Sequence, residues 1–291
     1  MEPAITLITG CSSGIGLETA LLAARRGHRV YATMRNLDKR GPLLERAAAE
    51  KLELELLRLD VTEPQSIRAA AAELEGREGR LTNLVNNAGF SYFGILEHFS
   101  DAEIRDQFDT NVFGVLRTTR ALLPLMRRDK SPRRTLVNVS SLTGRVVYPL
   151  MGLYAATKFA VIALTEEWRH ELRPFGIRAV SVEPGAIDTN FGRGSLKHPA
   201  AYDGASPYRA VVETVEKRFA AMTTAEGGSP VTAARTILRA IEARKPTLHW
   251  SCGPKSKLAT FALRCAPYSF VEWSMRRDAG LNKKGKTPEN D

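Results

Sequence analysis

The sequence predicts a doubly wound α/β fold, a parallel sheet of about seven strands with helices on both faces and right-handed crossovers. Three observations lead there. Short β-rich runs alternate with helical stretches through Trp250, the first of those runs is apolar almost throughout, and a glycine-rich turn joins it to the first helix. Strands covered on both faces have that continuous apolar texture, whereas half-exposed strands alternate.

The elements follow in order. Strand candidates are Ala4–Thr9, Arg29–Thr33, Leu54–Leu59, Leu81–Asn86, Thr135–Ser140, Ile177–Glu183 and Thr247–Trp250. Helix candidates are Ile15–Arg26, Gly41–Lys51, Pro64–Glu75, Asp101–Arg128, Tyr154–Arg173 and Thr232–Arg244. Asp188–Ser229 interrupts the alternation with glycines and prolines around a helix-like stretch, Tyr208–Met222, and is expected to form a lid insertion. The predicted organisation is therefore one domain over 1–250, with a lid at 188–229, and an extension over 251–291.

That extension is basic, with only Glu272 and Asp278 against its lysines and arginines up to Thr287. Leu258, Phe261, Ala262 and Cys265 recur at helical spacing; Pro267 breaks the run, and Phe270, Val271, Trp273 and Met275 follow beside Arg276-Arg277. One reading is an interfacial helix pair touching anionic lipid. The other is a pair of helices packed on the domain or on a second subunit, since a core stripe has the same pattern. Lys283–Asp291 is expected to be disordered.

Composition narrows the function. The net charge is +10, with 43% hydrophobic and 25% charged residues, ordinary for a globular protein. No nucleic-acid motif accompanies the charge, so no nucleic-acid partner is expected. Cys11, Cys252 and Cys265 lack metal-ligand spacing and are too few for a disulfide framework, so no metal is expected and a reducing compartment fits. The first strand begins too near the start to leave room for a signal peptide, and no apolar run reaches membrane-spanning length. The expected location is cytoplasmic, with the tail as the one candidate for peripheral membrane contact.

Thr9-Gly10-Cys11-Ser12-Ser13-Gly14-Ile15-Gly16 closes the first strand and opens the first helix. Glycines there allow a tight turn and close backbone approach to a pyrophosphate, while the helix N-terminus offers free N–H groups. An ordinary βα turn can carry glycines too, but the place in the first βα unit favours a dinucleotide. After the second strand no acidic residue appears until Asp38 to hold a ribose 2′-hydroxyl, and Arg35 stands ready for a 2′-phosphate, with Ser13 as an added hydroxyl. NADP(H) is thus expected over NAD(H).

Tyr154 and Lys158 are four apart on a helical stretch and share a face. A lysine ammonium about 5 Å away favours phenolate by roughly 3 kcal/mol at an effective dielectric near 20, on the order of two pKa units. Ser141 lies just past the C-terminal end of a strand, where ligands of open α/β sheets bind, and could hold a substrate oxygen; Ser140 is the neighbouring contender.

Taken together these motifs resemble a classical short-chain dehydrogenase/reductase of the Rossmann type, over about Ile5 to Trp250. The resemblance implies roles for further residues. Asp60-Val61 matches the adenine-contacting pair, Asn86-Asn87-Ala88-Gly89 the N-N-A-G segment, and Asn111 the helix asparagine of the catalytic tetrad. Ser141 matches the catalytic serine through its distance to Tyr154, and Tyr154-x-x-x-Lys158 is the family signature. Pro184-Gly185, Ile187 and Thr189 resemble the segment that holds the nicotinamide carboxamide. Within the family the chain is similar to the branch of estrogenic hydroxysteroid and photoreceptor-type retinol dehydrogenases. That branch implies an NADP(H)-dependent exchange between a lipophilic alcohol and its carbonyl, with Tyr154 as proton donor, and a homo-oligomeric state. The alternative is a non-catalytic dinucleotide-binding redox sensor on the same fold.

Overall fold

A computed structural model of the chain describes residues 2–187, 196–200, 206–225, 228–253 and 265–281. Thr189, Leu258, Phe261, Ala262 and Lys283–Asp291, all named above, lie outside the described residues, as does the side chain of Met222.

Seven parallel strands form the main sheet. They are β1 (Ile5–Ile8), β2 (Arg29–Met34), β3 (Glu55–Arg58), β4 (Asn83–Asn86), β6 (Arg134–Val139), β7 (Ile177–Pro184) and β9 (His249–Cys252), in the spatial order β3-β2-β1-β4-β6-β7-β9. Two short strands, β5 (Ser91–Tyr92) and β8 (Leu196–Lys197), pair in parallel beside it. The order reverses between β1 and β4, which opens a crevice at their carboxyl ends.

Alternate side chains explain the apolar texture. Leu7, Leu84, Leu136 and Ala179 face a core built with α3 (Pro64–Glu78), α5 (Gly114–Arg128) and α6 (Gly152–Glu171) through Ile67, Leu74, Leu122, Met126, Val161 and Trp168. Ile8, Val85, Val137 and Val180 face the opposite core, closed by α1 (Gly14–Arg25), α2 (Gly41–Ala49) and α8 (Pro230–Glu242) through Leu17, Leu21, Leu43, Ile237 and Ile241. A strand buried on both sides has no face to leave polar.

Three boundaries differ from expectation. The stretch Asp101–Arg128 is not one α-helix: α4 (Asp101–Phe108) passes into a π turn at Asp109–Phe113 before α5 begins. Such turns interrupt the helical register locally and often mark functional positions; this one carries Asn111. The last strand lies two residues later than predicted, because β7 sets its register, pairing Ser181 with His249 and Pro184 with Cys252. Within the expected insertion, Tyr208–Met222 corresponds to α7 (Arg209–Ala225), and β8 docks on β5, with Phe93 N–H donating to Lys197 O (2.8 Å). In the extension, α9 (Tyr268–Asp278) turns Val271 inward, Ala279 just past its end is buried as well, and Tyr268, Phe270 and Trp273 are exposed. Among the described residues, no helix is long and apolar enough to cross a membrane.

Candidate active site

The crevice between β1 and β4 is held by one hydroxyl. Thr9 Oγ1 accepts the N–H groups of Asn87 (2.9 Å) and Ala88 (3.0 Å), joining the ends of the two strands. Asn87 Nδ2 then donates to the carbonyls of Thr9 (2.9 Å) and Gly10 (3.2 Å), which fixes the glycine turn from below. Gly10 has φ +73°. A methyl group on Gly16 would lie 2.3 Å from Gly10 O and 2.5 Å from Asn87 Nδ2, so only glycine fits there. Ser13 precedes α1 without a side-chain capping bond, leaving its first-turn N–H groups uncovered by a capping side chain. A pyrophosphate fits this cradle by both geometry and charge. Ser12 and Ile15 are half-buried in the turn, Ser13 is exposed, and Arg35 is exposed just past β2.

Asp60 and Val61 follow β3. Asp60 Oδ1 accepts Thr62 N–H (2.9 Å) and Thr62 Oγ1–H (2.7 Å), and Val61 is buried so tightly against Gly114 that a methyl there would lie 2.8 Å from its Cγ2. Gly89 leads toward the reactive end: a methyl on it would lie 3.0 Å from Asn111 Oδ1 and 3.8 Å from Lys158 Nζ. Pro184 ends β7, Gly185 N–H donates to Cys252 O (2.8 Å), and Ile187 bridges to Gly228.

Asn111, Ser141, Tyr154 and Lys158 converge at the carboxyl ends of β4, β6 and β7. Asn111 Oδ1 accepts Phe90 N–H (3.1 Å), and its Nδ2 donates to Phe90 O (2.9 Å) and Thr157 Oγ1 (3.1 Å), so its amide is spent on anchoring the π turn to α6. Lys158 Nζ donates to Val139 O (2.9 Å) and sits 5.5 Å from the Tyr154 ring centroid. The two adjacent serines separate cleanly. Ser140 is buried and donates to Lys158 O (3.0 Å), a structural tie between β6 and α6. Ser141 faces the Tyr154 hydroxyl closely enough to lower its pKa, accepts Thr143 N–H (3.2 Å) and donates to Pro184 O (3.4 Å).

The electrostatics depart from the sequence expectation. Burial raises the Tyr154 pKa above the ordinary tyrosine value, against a smaller opposing effect of Ser141. Burial also pushes the Lys158 ammonium down, to about 8. Desolvation, which disfavours the charged form of each, is the largest cause of both shifts.

Around Tyr154 lies an apolar cluster of Phe93, Tyr148, Leu150, Met151, Val212 and Val215, with Ala279 and Met275 closing it from α9. Phe219 of α7 stacks on Phe93 (5.1 Å between centroids) and Tyr148 (6.0 Å). Tyr208 and Val211 border the same cluster. Leu150 takes φ +66°, an uncommon conformation for a residue with a side chain, in the turn that leads into α6.

Sequence reasoning missed the π turn, the Leu150 turn and a buried ion pair between Glu183 and Arg145. The one legible signal was Glu183 itself, a carboxylate in an apolar strand that needs a buried partner. Which residue supplies that partner has no spacing rule.

A parallel sheet with a glycine cradle at its switch point and a Ser–Tyr–Lys group beyond it defines a dinucleotide-dependent oxidoreductase. The profile of the short chain dehydrogenase family matches residues 4–199, and the chain belongs to that family. It is similar to retinol dehydrogenase 8 of Bos taurus, 36% identical over 84% of this chain and 80% of that one. The similarity to human 17-beta-hydroxysteroid dehydrogenase type 1 is 34% over 86% and 77%, and that to a 3-ketodihydrosphingosine reductase of Bacteroides thetaiotaomicron is 38% over 66% of each chain. Among solved structures, a short-chain dehydrogenase from Streptomyces avermitilis aligns at TM-score 0.79, with 33% identity, over 97% of this chain and 100% of that one. The chain is therefore an NAD(P)-dependent oxidoreductase related to the hydroxysteroid and retinol dehydrogenase branch.

Gly16→Ala is expected to lower dinucleotide affinity at least tenfold and to cost about 1–3 kcal/mol of stability, from overpacking. Fluorescence titration and thermal unfolding read the two effects; an unchanged affinity would show that the turn relaxes freely.

Proposed function

We propose that this protein interconverts a lipophilic alcohol and its carbonyl with NADP(H) as the preferred cofactor. The observation that carries this reading is the convergence of Ser141, Tyr154 and Lys158 at the carboxyl ends of the strands, with Tyr154 set in an apolar cluster. The dinucleotide, when bound, supplies or accepts the hydride. Gly10, Gly14 and Gly16 with Ser12, Ser13 and Ile15 would cradle its pyrophosphate, Asp60-Val61 would border the adenine, Asn87-Ala88-Gly89 would run beside it toward the reactive end, and Pro184, Gly185, Ile187 and Thr189 would hold the carboxamide. Ser141 fixes the substrate oxygen, and Tyr154 donates its proton to that oxygen. With its pKa raised by burial, Tyr154 is protonated at neutral pH and so holds the proton that carbonyl reduction consumes. Lys158 orients the ribose and the tyrosine ring, and Asn111 holds the π turn beside them.

The domain spans 1–250 with 188–229 as its lid, and 251–291 is an extension that helps form the substrate wall. The exposed aromatics of α9 beside Arg276 and Arg277 also suit contact with an anionic membrane surface from a cytoplasmic location. Homo-oligomers form through α4–α5 and α6, which expose Phe113 and Phe159.

Tyr154→Phe should retain fold and dinucleotide binding while losing about 10²- to 10⁴-fold in turnover, because only the proton donor is removed. In wild type, alcohol oxidation should rise with pH across the alkaline range, since the reverse reaction needs the phenolate that burial disfavours. Stopped-flow and steady-state rates test both, and wild-type turnover in the variant would sink the mechanism.

Arg35→Ala should weaken NADPH by roughly 10- to 100-fold, the worth of a charged hydrogen bond, and leave NADH nearly unchanged. Equal affinities of the wild type for the two cofactors would make Arg35 a plain surface charge.

For substrate class, burying an extra 100 Å² of hydrocarbon favours a large apolar molecule by about 2.5 kcal/mol. Higher kcat/KM is therefore expected for a steroid, retinoid or long-chain ketone than for a sugar or a short hydroxy acid. A preference for the small polar compounds would refute the lipophilic pocket and leave the reaction class intact.

A further inference from the structure

Where the backbone ladder between β6 and β7 stops, side chains carry the connection on. The ladder runs through Val139 opposite Val182, and its last bond is Ser140 N–H to Val182 O (2.8 Å). Beyond it the two chains part: β6 turns into the loop that carries Ser141, while β7 continues to Pro184, paired on its other side with Cys252 of β9. Two side-chain ties span the gap. One is the long bond from Ser141 Oγ to Pro184 O (3.4 Å). The other is a two-pronged ion pair, Arg145 Nε and Nη2 to Glu183 Oε2 and Oε1 at 2.5 and 3.0 Å.

The Glu183 side chain has 0% exposure. Burial raises its pKa, but bonds from His249 and Arg145 outweigh that and hold it below the usual carboxylate value. His249 Nδ1 lies 2.8 Å from Glu183 Oε1, and His249 Nε2 lies 3.6 Å from Glu166 Oε1 on α6, the helix that carries Tyr154 and Lys158. One carboxylate thus ties together the Ser141 loop, β7 and β9, and through His249 reaches α6.

We propose that Arg145 and Glu183 are positioning residues that set Ser141 and the Pro184-Gly185 turn at a fixed separation, and so align substrate oxygen with nicotinamide. The proposal rests on the roles given above to those two segments. Its logic is mechanical. When Ser141 turns its hydroxyl toward a substrate, the bond to Pro184 O is given up, and the ion pair is what still sets the spacing. The planar guanidinium grips both carboxylate oxygens, which fixes orientation as well as distance. An ammonium at the same place keeps the charge and loses the second prong.

The test must separate positioning from bare charge compensation. Arg145→Met alone strands a buried carboxylate and can unfold the chain for that reason. The double variant Arg145→Met/Glu183→Gln removes both charges. It is expected to fold and to bind NADPH within about threefold of wild type, because the pyrophosphate cradle is elsewhere, yet to lose on the order of tenfold to a hundredfold in kcat. Arg145→Lys should fall between the double variant and wild type. Hydrogen exchange in the double variant should speed up together at residues 141–146 and 183–186 and stay unchanged at residues 9–17. Wild-type kcat in the double variant, or unchanged exchange at both segments, overturns the proposal. A wild-type protein with no turnover on any carbonyl would instead overturn the oxidoreductase reading, and the exchange measurement would still decide whether the pair couples the two segments.

Discussion

The structure depends on a junction between strands that are neighbours in space and distant in sequence. At the reversal of strand order, β1 and β4 send their chains to opposite sides, and the Thr9 hydroxyl bridges them by accepting from Asn87 and Ala88. Backbone N–H groups at the end of a buried strand need partners, and a threonine on the next strand supplies one within the crevice itself. The amide of Asn87 then clamps the glycine turn, so the phosphate cradle and the N-N-A-G segment form one rigid piece. Displacing either would move both.

From that junction the site extends along the carboxyl ends of β4, β6 and β7, and its chemistry follows from burial. Lys158 gives one hydrogen to Val139 O, and both it and Tyr154 are removed from water. Each is thereby shifted toward its neutral form, the lysine downward and the tyrosine upward. The sequence reading expects the ammonium to lower the phenol's pKa, whereas burial, the largest cause, raises it.

Much of the architecture was legible because it rests on local rules. The two-sided strands announced themselves in Ile5-Thr6-Leu7-Ile8, and the glycine turn in its spacing. Tyr154 and Lys158 shared a helix face by arithmetic. What escaped depends on residues that meet only after folding. The break in Asp101–Arg128 leaves no proline or glycine at Asp109–Phe113 to announce it, and Asn111 anchors it through Phe90 and Thr157. Ser140 and Ser141 are chemically identical neighbours, and only the direction each faces at the end of β6 separates a helix tie from a partner of the tyrosine. The last strand was placed two residues early because register belongs to the neighbouring strand, not to the strand's own composition.

The shared cluster of Tyr154, α7 and α9 divides the protein into parts with different histories available to them. The reactive group and the phosphate cradle come from the first 185 residues and are locked to the sheet. The apolar surroundings of the tyrosine come in part from chain that follows, including Val212, Val215, Met275 and Ala279. Substitutions there change the packing around Tyr154 without touching the phosphate cradle, so the surroundings of the reactive group can vary apart from the group itself.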